Sequence, residues 1–293
     1  MNKRETILRF LKRLPCDTHP TPMELQMMGV SPYIRPVDVP LCERPFGGTG
    51  YDVFGVHWSD APQASHYTPG QPPIYDDIEC WREQVRFPNV AHFPWDDLRR
   101  QAAQIDRTQF LVSAVLLNGP FERTTTLTSF EDCLVNLITE PEAFSELIGA
   151  IADYKIALIE QIWDCAQPDI FYLHDDWGTM KSTFMSPELW RQVIKPHTKR
   201  IYDAIHAHGA LVVQHSCGAV GPLIGDMVEM GADAWDGQSE CNDLVALRAQ
   251  YGSQIVILDK PTREEILAAS GGQFRMPGHT YGAYEEYPEF LFH

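Results

Sequence analysis

The sequence contains no apolar run of the roughly 18 to 20 residues that a membrane-spanning helix requires. Its first segment, MNKRETILRFLKRLPCDTHP, alternates charged residues with Leu, Ile and Phe. The continuous apolar stretch of a secretory signal is missing, and the pattern predicts an amphipathic helix instead. We therefore expect a cytoplasmic protein.

Positive charge is scarce, since 23 Lys and Arg residues stand against 40 Asp and Glu residues and the net charge is −17. A surface this acidic repels phosphate backbones and anionic lipids, so we expect neither nucleic acid nor a membrane as a partner. The same charge also disfavours a strongly polyanionic substrate.

Several familiar sequence signatures are absent. The seven cysteines include no CxxC pair, so in a chain without an export signal we expect thiols rather than disulfides. There is no GxGxxG or Walker motif for nucleotides and no GxSxG motif of a serine hydrolase. No repeat of fixed period is present either. These absences remove local support for nucleotide binding and for serine-based hydrolysis.

From about residue 106 the chain alternates strand patterns with helix patterns. The strand patterns are, in order, QFLVSAVLL, DIFYLH, ALVVQH, ADAWDG and SQIVILDK. This order predicts a parallel sheet with helical crossovers. The length of 293 residues suits one domain, residues 1–293, built as an α/β (β/α)8 TIM-type barrel. Residues 260–270 are too few for a full strand–helix unit, so we expect a barrel shortened near its C-terminus.

The first 105 residues are rich in Pro, Gly and aromatic residues and read as an irregular N-terminal extension. Within them, YDVFGVHW (residues 51–58) has the composition of a strand. Further along, residues 186–209 open with the N-cap pattern Ser-Pro-Glu and close at a Gly, which indicates a helical segment.

His215 and Cys217 follow the ALVVQH strand, at the end where barrel enzymes place their active sites. Residues two apart on a strand face the same side, so an imidazole and a thiol point together, and both are good zinc ligands. The alternative is a half-buried His beside a core Cys. Gly218 allows a tight turn or close approach to a ligand, and Gln238 ends the next predicted strand; both are candidates to contact a cofactor.

His174, Asp175 and Asp176 end another predicted strand and are candidate catalytic residues. A carboxylate from this group could complete a metal site or orient a substrate. The alternative for the two acids is helix capping or solvation of a loop. His279, in MPGHTY, lies where the last barrel strand should end and is the third candidate metal ligand.

Six segments, taken in order, resemble the uroporphyrinogen decarboxylase superfamily, which also contains the methylcobalamin:coenzyme M methyltransferases. They are YDVFGVHW, NGPFE, YLHDDWG, SPELWRQVIKPHTKRI, HSCGAVGPLIGDMVEMGAD and GGQFRMPGHTY. The resemblance implies a (β/α)8 barrel. In the methyltransferases an H-x-C motif and a later Cys in a Pro-Gly-Cys context bind zinc, which activates an acceptor thiol to attack a methylated corrinoid. His215 and Cys217 match the motif, whereas His279 stands in place of the later Cys.

The true decarboxylases carry an N-terminal Arg-Gln-Ala-Gly-Arg-Tyr loop whose arginines hold the carboxylates of the substrate. Here the corresponding stretch is CDTHPTPMELQMMGVSPY, which lacks Lys and Arg. A substrate with eight carboxylates needs several positive partners. The resemblance is therefore closer to the methyltransferase branch, and we expect no turnover of uroporphyrinogen.

The leading hypothesis is a zinc-dependent methyltransferase that moves a methyl group between a corrinoid such as methylcobalamin, held by a partner protein, and a thiol or another small acceptor. Zinc would be bound by His215, Cys217 and His279, with Asp175 or Asp176 as fourth ligand or substrate-orienting group. The second hypothesis is a cofactor-free decarboxylase in which Asp176 stabilises a developing cation and His279 donates a proton. The third is a non-catalytic barrel that binds a corrinoid or a partner protein.

Overall fold

The computed structural model describes residues 2–27, 29–41, 43, 49–59, 72–270 and 284–293. The strands in these ranges are β1 (Ile34–Val37), β2 (Gly50–Tyr51), β3 (His57–Trp58), β4 (Leu111–Leu116), β5 (Ile170–His174), β6 (Leu211–His215), β7 (Ala234–Asp236) and β8 (Val256–Ile257). Six of them form a parallel sheet in the order β1-β4-β5-β6-β7-β8. The predicted α/β barrel architecture is confirmed, with these six strands as its wall.

Helices follow the strands of this wall. They are α1 (Lys3–Leu11), α2 (Trp81–Gln84), α3 (Trp95–Ala103), α4 (Pro120–Leu127), α5 (Phe130–Thr139), α6 (Pro141–Ala166), α7 (Pro187–Val193), α8 (Lys195–Ala207), α9 (Ile224–Met230), α10 (Leu244–Tyr251) and α11 (Arg263–Ala269). Short 3₁₀ turns occur at Ile78–Cys80, Val90–His92, Gly221–Leu223 and Glu289–Leu291. In the part of the chain that the structure describes, no helix is long and apolar enough to cross a membrane.

The wall strands β4, β5 and β6 are buried on both faces, because their side chains alternate between two apolar layers. Tyr172 and Val213 point into the inner layer, inside the barrel. Phe171 and Val212 point into the outer layer, against the helices. The alternation decides which polar residues at the strand ends face the barrel interior.

The N-terminal helix α1 fills part of that interior. Ile7 and Leu11 on its apolar side are fully buried in the inner layer, together with Leu25. Outside the apolar side, Arg4 forms an ion pair of 2.6 Å with Asp169. The predicted amphipathic helix is thus confirmed, and its apolar stripe packs under the strands instead of facing solvent.

The strands of the N-terminal part differ from the prediction. The strand β1 was not predicted and contains Pro36; a Pro is tolerated there because β1 has only β4 beside it among the described residues. The prediction of one strand over residues 51–58 is wrong, since the structure has the two-residue strands β2 and β3 there. A turn separates them, since the Asp52 carboxylate accepts hydrogen bonds from the backbone N–H groups of Phe54 (2.8 Å) and Val56 (3.0 Å).

Further along, the helical segment at residues 186–209 is divided into α7 and α8. The break precedes Pro196, which has no N–H to continue the helix. Residues 260–270 contain α11 and no strand, as the short spacing predicts. The assignment of residues 1–293 to one domain stays a prediction.

Candidate metal site at the mouth of the barrel

Three neighbouring strands carry polar residues to one end of the barrel. In the register of the sheet, His174 on β5 pairs with His215 on β6, and His215 pairs with Asp236 on β7. The strands are parallel, so their carboxyl ends meet there. The predicted parallel sheet is confirmed for these strands, and β5, β6 and β7 are neighbours in it.

The inward-facing side chains at this end form what we call the mouth cluster: His174, Asp176, His215 and Cys217. One ligand atom from each of His174, Asp176 and His215 lies within 4.8 Å of the others. His215 Nε2 is 3.5 Å from Asp176 Oδ1 and 3.3 Å from Cys217 Sγ. The two imidazole rings stack with centroids 4.5 Å apart and planes inclined by 19°. Four Lewis bases from two strands therefore converge.

A carboxylate stands behind each histidine. His174 Nδ1 donates to Glu122 Oε2 at 2.7 Å, and His215 Nδ1 lies 3.5 Å from Asp236 Oδ2. A neutral imidazole that carries its hydrogen on Nδ1 presents the lone pair of Nε2. Histidines that bind metals almost always have such a carboxylate or carbonyl partner on the other nitrogen. Both rings are thus oriented to offer Nε2 to the mouth.

The Asp236 carboxylate also contacts Tyr172 and Lys260. It accepts a hydrogen bond of 2.6 Å from the Tyr172 hydroxyl, and its other oxygen is 3.8 Å from Lys260 Nζ. Burial alone would raise the pKa of Asp236, but the contact with His215 and the positive charge of Lys260 outweigh it and lower the pKa to about 2. Asp236 is therefore a fixed negative charge behind His215.

The side chain of Cys217 is a protonated thiol at neutral pH. Burial, and then the negative charge of Asp176, raise the pKa of Cys217 to about 12. The backbone N–H of Cys217 donates to Asp176 Oδ1 at 2.6 Å, so the two residues are held side by side. A divalent cation would be needed to convert this thiol to thiolate near neutral pH.

Asp175 and Asp176 have separate environments, because adjacent strand residues face opposite layers. Asp176 faces inward to the mouth cluster. Asp175 is buried and faces outward, where its carboxylate accepts from the backbone N–H of Glu122 (2.8 Å) and of Phe121 (3.3 Å), and from Trp177 Nε1 (2.9 Å). Burial, and then the charge of Glu122, raise the pKa of Asp175 to about 7. The geometry thus favours Asp176 over Asp175 as a site residue.

Gly218 and Gln238, the two candidate cofactor contacts, bond to each other. The Gly218 N–H donates to Gln238 Oε1 at 2.9 Å. Gly218 has φ of +90°, which explains the Gly at this position. The two residues therefore shape the turn after Cys217, and their direct contact with a cofactor stays a prediction.

A cavity of about 190 Å³ adjoins the far side of His215. Its polar lining includes Tyr172, His215, Asp236 and Lys260, and its apolar walls include Leu25. The volume is below the roughly 300 to 1,000 Å³ of pockets for drug-sized ligands. As bounded by the described residues, the cavity accommodates a small molecule.

Two separations between donor atoms of the mouth cluster suit a tetrahedral zinc ion. Ligand atoms roughly 2.0 to 2.3 Å from such an ion are roughly 3.3 to 3.6 Å apart. The observed separations from His215 Nε2 to Cys217 Sγ and Asp176 Oδ1 are 3.3 and 3.5 Å. The set of two imidazoles, one thiol and one carboxylate is also typical of zinc. The predicted third ligand, His279, lies outside the described residues.

Two residues of the site were missed in the sequence. Glu122 lies in the first turn of α4, in the segment NGPFE, and Asp236 ends β7. Asp236 has the signal of a polar residue at the carboxyl end of a barrel strand, which was used for His174 and His215. Glu122 has no such signal, because it lies six residues beyond the end of β4.

The sequence model of uroporphyrinogen decarboxylase (URO-D) matches residues 100–258, which include the whole mouth cluster and both carboxylates behind it. Among solved structures, the chain is similar to a methyltransferase from Methanosarcina mazei. The TM-score is 0.55 at 14% sequence identity, and the alignment covers 98% of this chain and 95% of that chain. At this identity the likeness establishes the fold alone. Comparison with curated protein sequences gives no significant match.

Proposed function

This chain belongs to the uroporphyrinogen decarboxylase family, and we propose that within it the protein is a zinc-dependent methyltransferase. It would move a methyl group between a corrinoid and a thiol or other small acceptor. The observation that carries the proposal is the convergence of His174, Asp176 and His215 within 4.8 Å of one another, with Cys217 Sγ 3.3 Å from His215 Nε2. The methyltransferase fold of the solved relative is consistent with it.

The charges around the mouth support a divalent cation. Glu122, Asp176 and Asp236 bring three carboxylates to the two histidines, and among the described residues that face them Lys260 supplies a positive charge at 3.8 Å from Asp236. A doubly charged ion bound by the mouth cluster would interact favourably with these carboxylates.

When bound, zinc supplies a Lewis acid that lowers the pKa of an acceptor thiol so that the acceptor reacts as thiolate. The protein's own residues orient and tune the site. Glu122 orients the ring of His174 through a contact of 2.7 Å, and Asp236 lies 3.5 Å behind His215. Asp176 holds the Cys217 backbone by the hydrogen bond to its N–H.

The negative charges around the mouth of the barrel also disfavour uroporphyrinogen as substrate. The eight carboxylates of this tetrapyrrole would meet Asp236 and Asp259 beside His215, where Lys260 is the basic residue among the described ones that line the cavity. We therefore propose a small acceptor and a corrinoid that approaches from outside, carried by a partner protein.

The test combines metal content with methyl transfer. Protein purified without chelator or metal-affinity tag should contain about one zinc per chain, and His215→Ala should contain almost none. Anaerobic demethylation of methylcobalamin should require a small thiol such as 2-mercaptoethanol and should disappear in His215→Ala. His208→Ala is the matched control, because His208 stacks on Trp163 and bonds to Glu160 on the outer helices.

Three results would contradict the proposal. One is a wild-type protein that binds no zinc from a zinc buffer. A second is zinc bound equally by wild type and His215→Ala. The third is conversion of uroporphyrinogen to coproporphyrinogen at the rates of an enzyme, which would favour the decarboxylase hypothesis instead.

A further inference from the structure

The turn that follows Cys217 is held from one side by a single neighbouring loop. Both backbone polar groups of Gly218 are bonded to side-chain amides of that loop. The Gly218 N–H donates to Gln238 Oε1 at 2.9 Å, and the Gly218 carbonyl accepts from Asn242 Nδ2 at 2.8 Å. The loop between β7 and α10 therefore holds Gly218, the residue next to Cys217, by two hydrogen bonds.

Asn242 connects three backbone segments. Besides Gly218, its Nδ2 donates to the Gln238 carbonyl at 2.7 Å, and its Oδ1 accepts from the Gly221 N–H at 2.9 Å. The donor capacity of this amide is used by two carbonyl groups, and its acceptor by an N–H. A side chain with only donors or only acceptors could not make this set of bonds.

On its other side, the turn rests against the loop after β5. A Cβ atom added to Gly218 would lie 2.2 Å from the carbonyl carbon of Gly178, so the two backbones are in contact. The Ala219 N–H also donates to the Thr179 carbonyl at 2.7 Å. The turn is thus enclosed between two loops, which restrict the backbone of Cys217 at its start.

We propose that Gln238 and Asn242 are positioning residues, which hold Cys217 Sγ at 3.3 Å from His215 Nε2 so that thiol and imidazole can share one metal ion. This inference rests on the proposed function, since it assumes that Cys217 is a ligand. Its physical basis is preorganisation: a ligand already held in place loses less conformational entropy on binding.

Two isosteric variants that add the same charge test the proposal. Gln238→Glu keeps an acceptor for the Gly218 N–H. Asn242→Asp keeps the acceptor for Gly221 but loses both donors, and it places a carboxylate against the carbonyl oxygens of Gly218 and Gln238. Gln250→Glu, on the exposed side of α10, controls for the added charge.

The measurement is cobalt(II) binding followed by absorption, because a thiolate ligand gives a sulfur-to-cobalt charge-transfer band. Wild type, Gln238→Glu and Gln250→Glu should show the band with similar affinity. Asn242→Asp should bind cobalt about 10- to 100-fold more weakly, as expected for loss of a supporting residue, and the band should weaken at saturating metal. A purely structural role for Asn242 would change the melting temperature and leave the band intact at saturation.

The outcomes separate the inference from the proposed function. A wild-type protein without the band contradicts the proposed function, and the inference with it, because Cys217 is then not a ligand. A wild type with the band, and an Asn242→Asp variant with the same band and affinity, contradicts the positioning role alone. An Asn242→Asp variant that does not fold would be replaced by Asn242→Ser, which keeps one donor and one acceptor; unchanged band and affinity there would again overturn the role.

Discussion

Two buried polar clusters in this molecule are built on opposite principles. The first, which we call the ion cluster, consists of Glu43, Asp52, Arg123 and Lys155. Arg123 is paired with Asp52 at 2.5 Å, and Lys155 is paired with Glu43 at 2.5 Å. Two acids meet two bases, so the cluster is neutral and each charge has its partner.

The mouth cluster has the opposite composition. It gathers two imidazoles, a thiol and the carboxylate of Asp176, with Glu122 and Asp236 behind them. Glu122 and Arg123 are adjacent on α4. Glu122 contacts His174 of the mouth cluster, and Arg123 belongs to the ion cluster. A buried cluster of paired charges stabilises the fold, whereas the Lewis bases of the mouth cluster are the ligands of the zinc ion that we propose.

Breaking the ion cluster should have the largest effect on stability. Arg123→Met leaves the buried carboxylate of Asp52 without its charge partner, so we expect the free energy of unfolding to fall by about 3 to 5 kcal/mol. Chemical denaturation measures this. Arg200→Met, which removes an exposed ion pair with Asp153, is the control and should cost less than about 1 kcal/mol. Equal losses in the two variants would show that the ion cluster does not stabilise the fold.

Asp175 should make stability depend on pH. Its pKa is raised from 3.8 to about 7 in the folded protein, so its favourable contribution is complete below its unfolded pKa and is lost as pH rises through about 7. The unfolding free energy of the wild type relative to Asp175→Asn should therefore decline between about pH 4 and 7, by at most about 1.4 kcal/mol per pH unit. Urea denaturation of both proteins across this range measures the difference. A constant difference would mean that Asp175 is ionised throughout.

The turn after Cys217 should tolerate a side chain poorly. Gly218→Ala brings a Cβ against the backbone of Gly178 at φ of +90°, whereas Gly209→Ala meets nothing within 4 Å at φ of +78°. We expect about 1 kcal/mol of destabilisation for Gly209→Ala from its backbone conformation, and clearly more for Gly218→Ala. Melting temperatures of the two variants measure this. Equal shifts would show that the close approach to Gly178 is unimportant.

The smallest effect on stability should come from the mouth cluster itself. Asp176→Asn removes one negative charge from an acidic site and keeps an oxygen for the Cys217 N–H. The metal-free variant should be as stable as wild type within about 1 kcal/mol, or slightly more stable. Its zinc affinity should fall at least about tenfold, since loss of even a supporting residue costs that much. A large loss of stability with unchanged zinc affinity would show that Asp176 stabilises the fold, as the ion cluster does, and does not support zinc binding.

The wall of the barrel could be predicted from the sequence because each strand from β4 to β8 is a short apolar run followed by a helix pattern. The strand β1 could not, since Pro36 argues against a strand wherever the neighbouring strands are unknown. The pair β2 and β3 depends on the turn at Asp52, whose side-chain bonds cannot be read from an aromatic-rich segment.

The site was predictable to the extent that strand periodicity applies. His215 and Cys217 share a face because they are two residues apart, and the same rule separates Asp175 from Asp176. What the sequence could not supply is register. The pairing of His174 with His215 brings Asp176 to Cys217, and this depends on how β5 and β6 align.

X-ray absorption at the zinc edge tests the central claim most directly. For protein loaded with one zinc per chain, we expect one sulfur ligand at about 2.3 Å and nitrogen or oxygen ligands at about 2.0 to 2.1 Å. The sulfur contribution should vanish in Cys217→Ser and persist in Cys165→Ser, which alters a half-buried thiol on α6. A zinc ion with no sulfur ligand in the wild type would contradict the proposed zinc site. A sulfur contribution that persists in Cys217→Ser would contradict it as well.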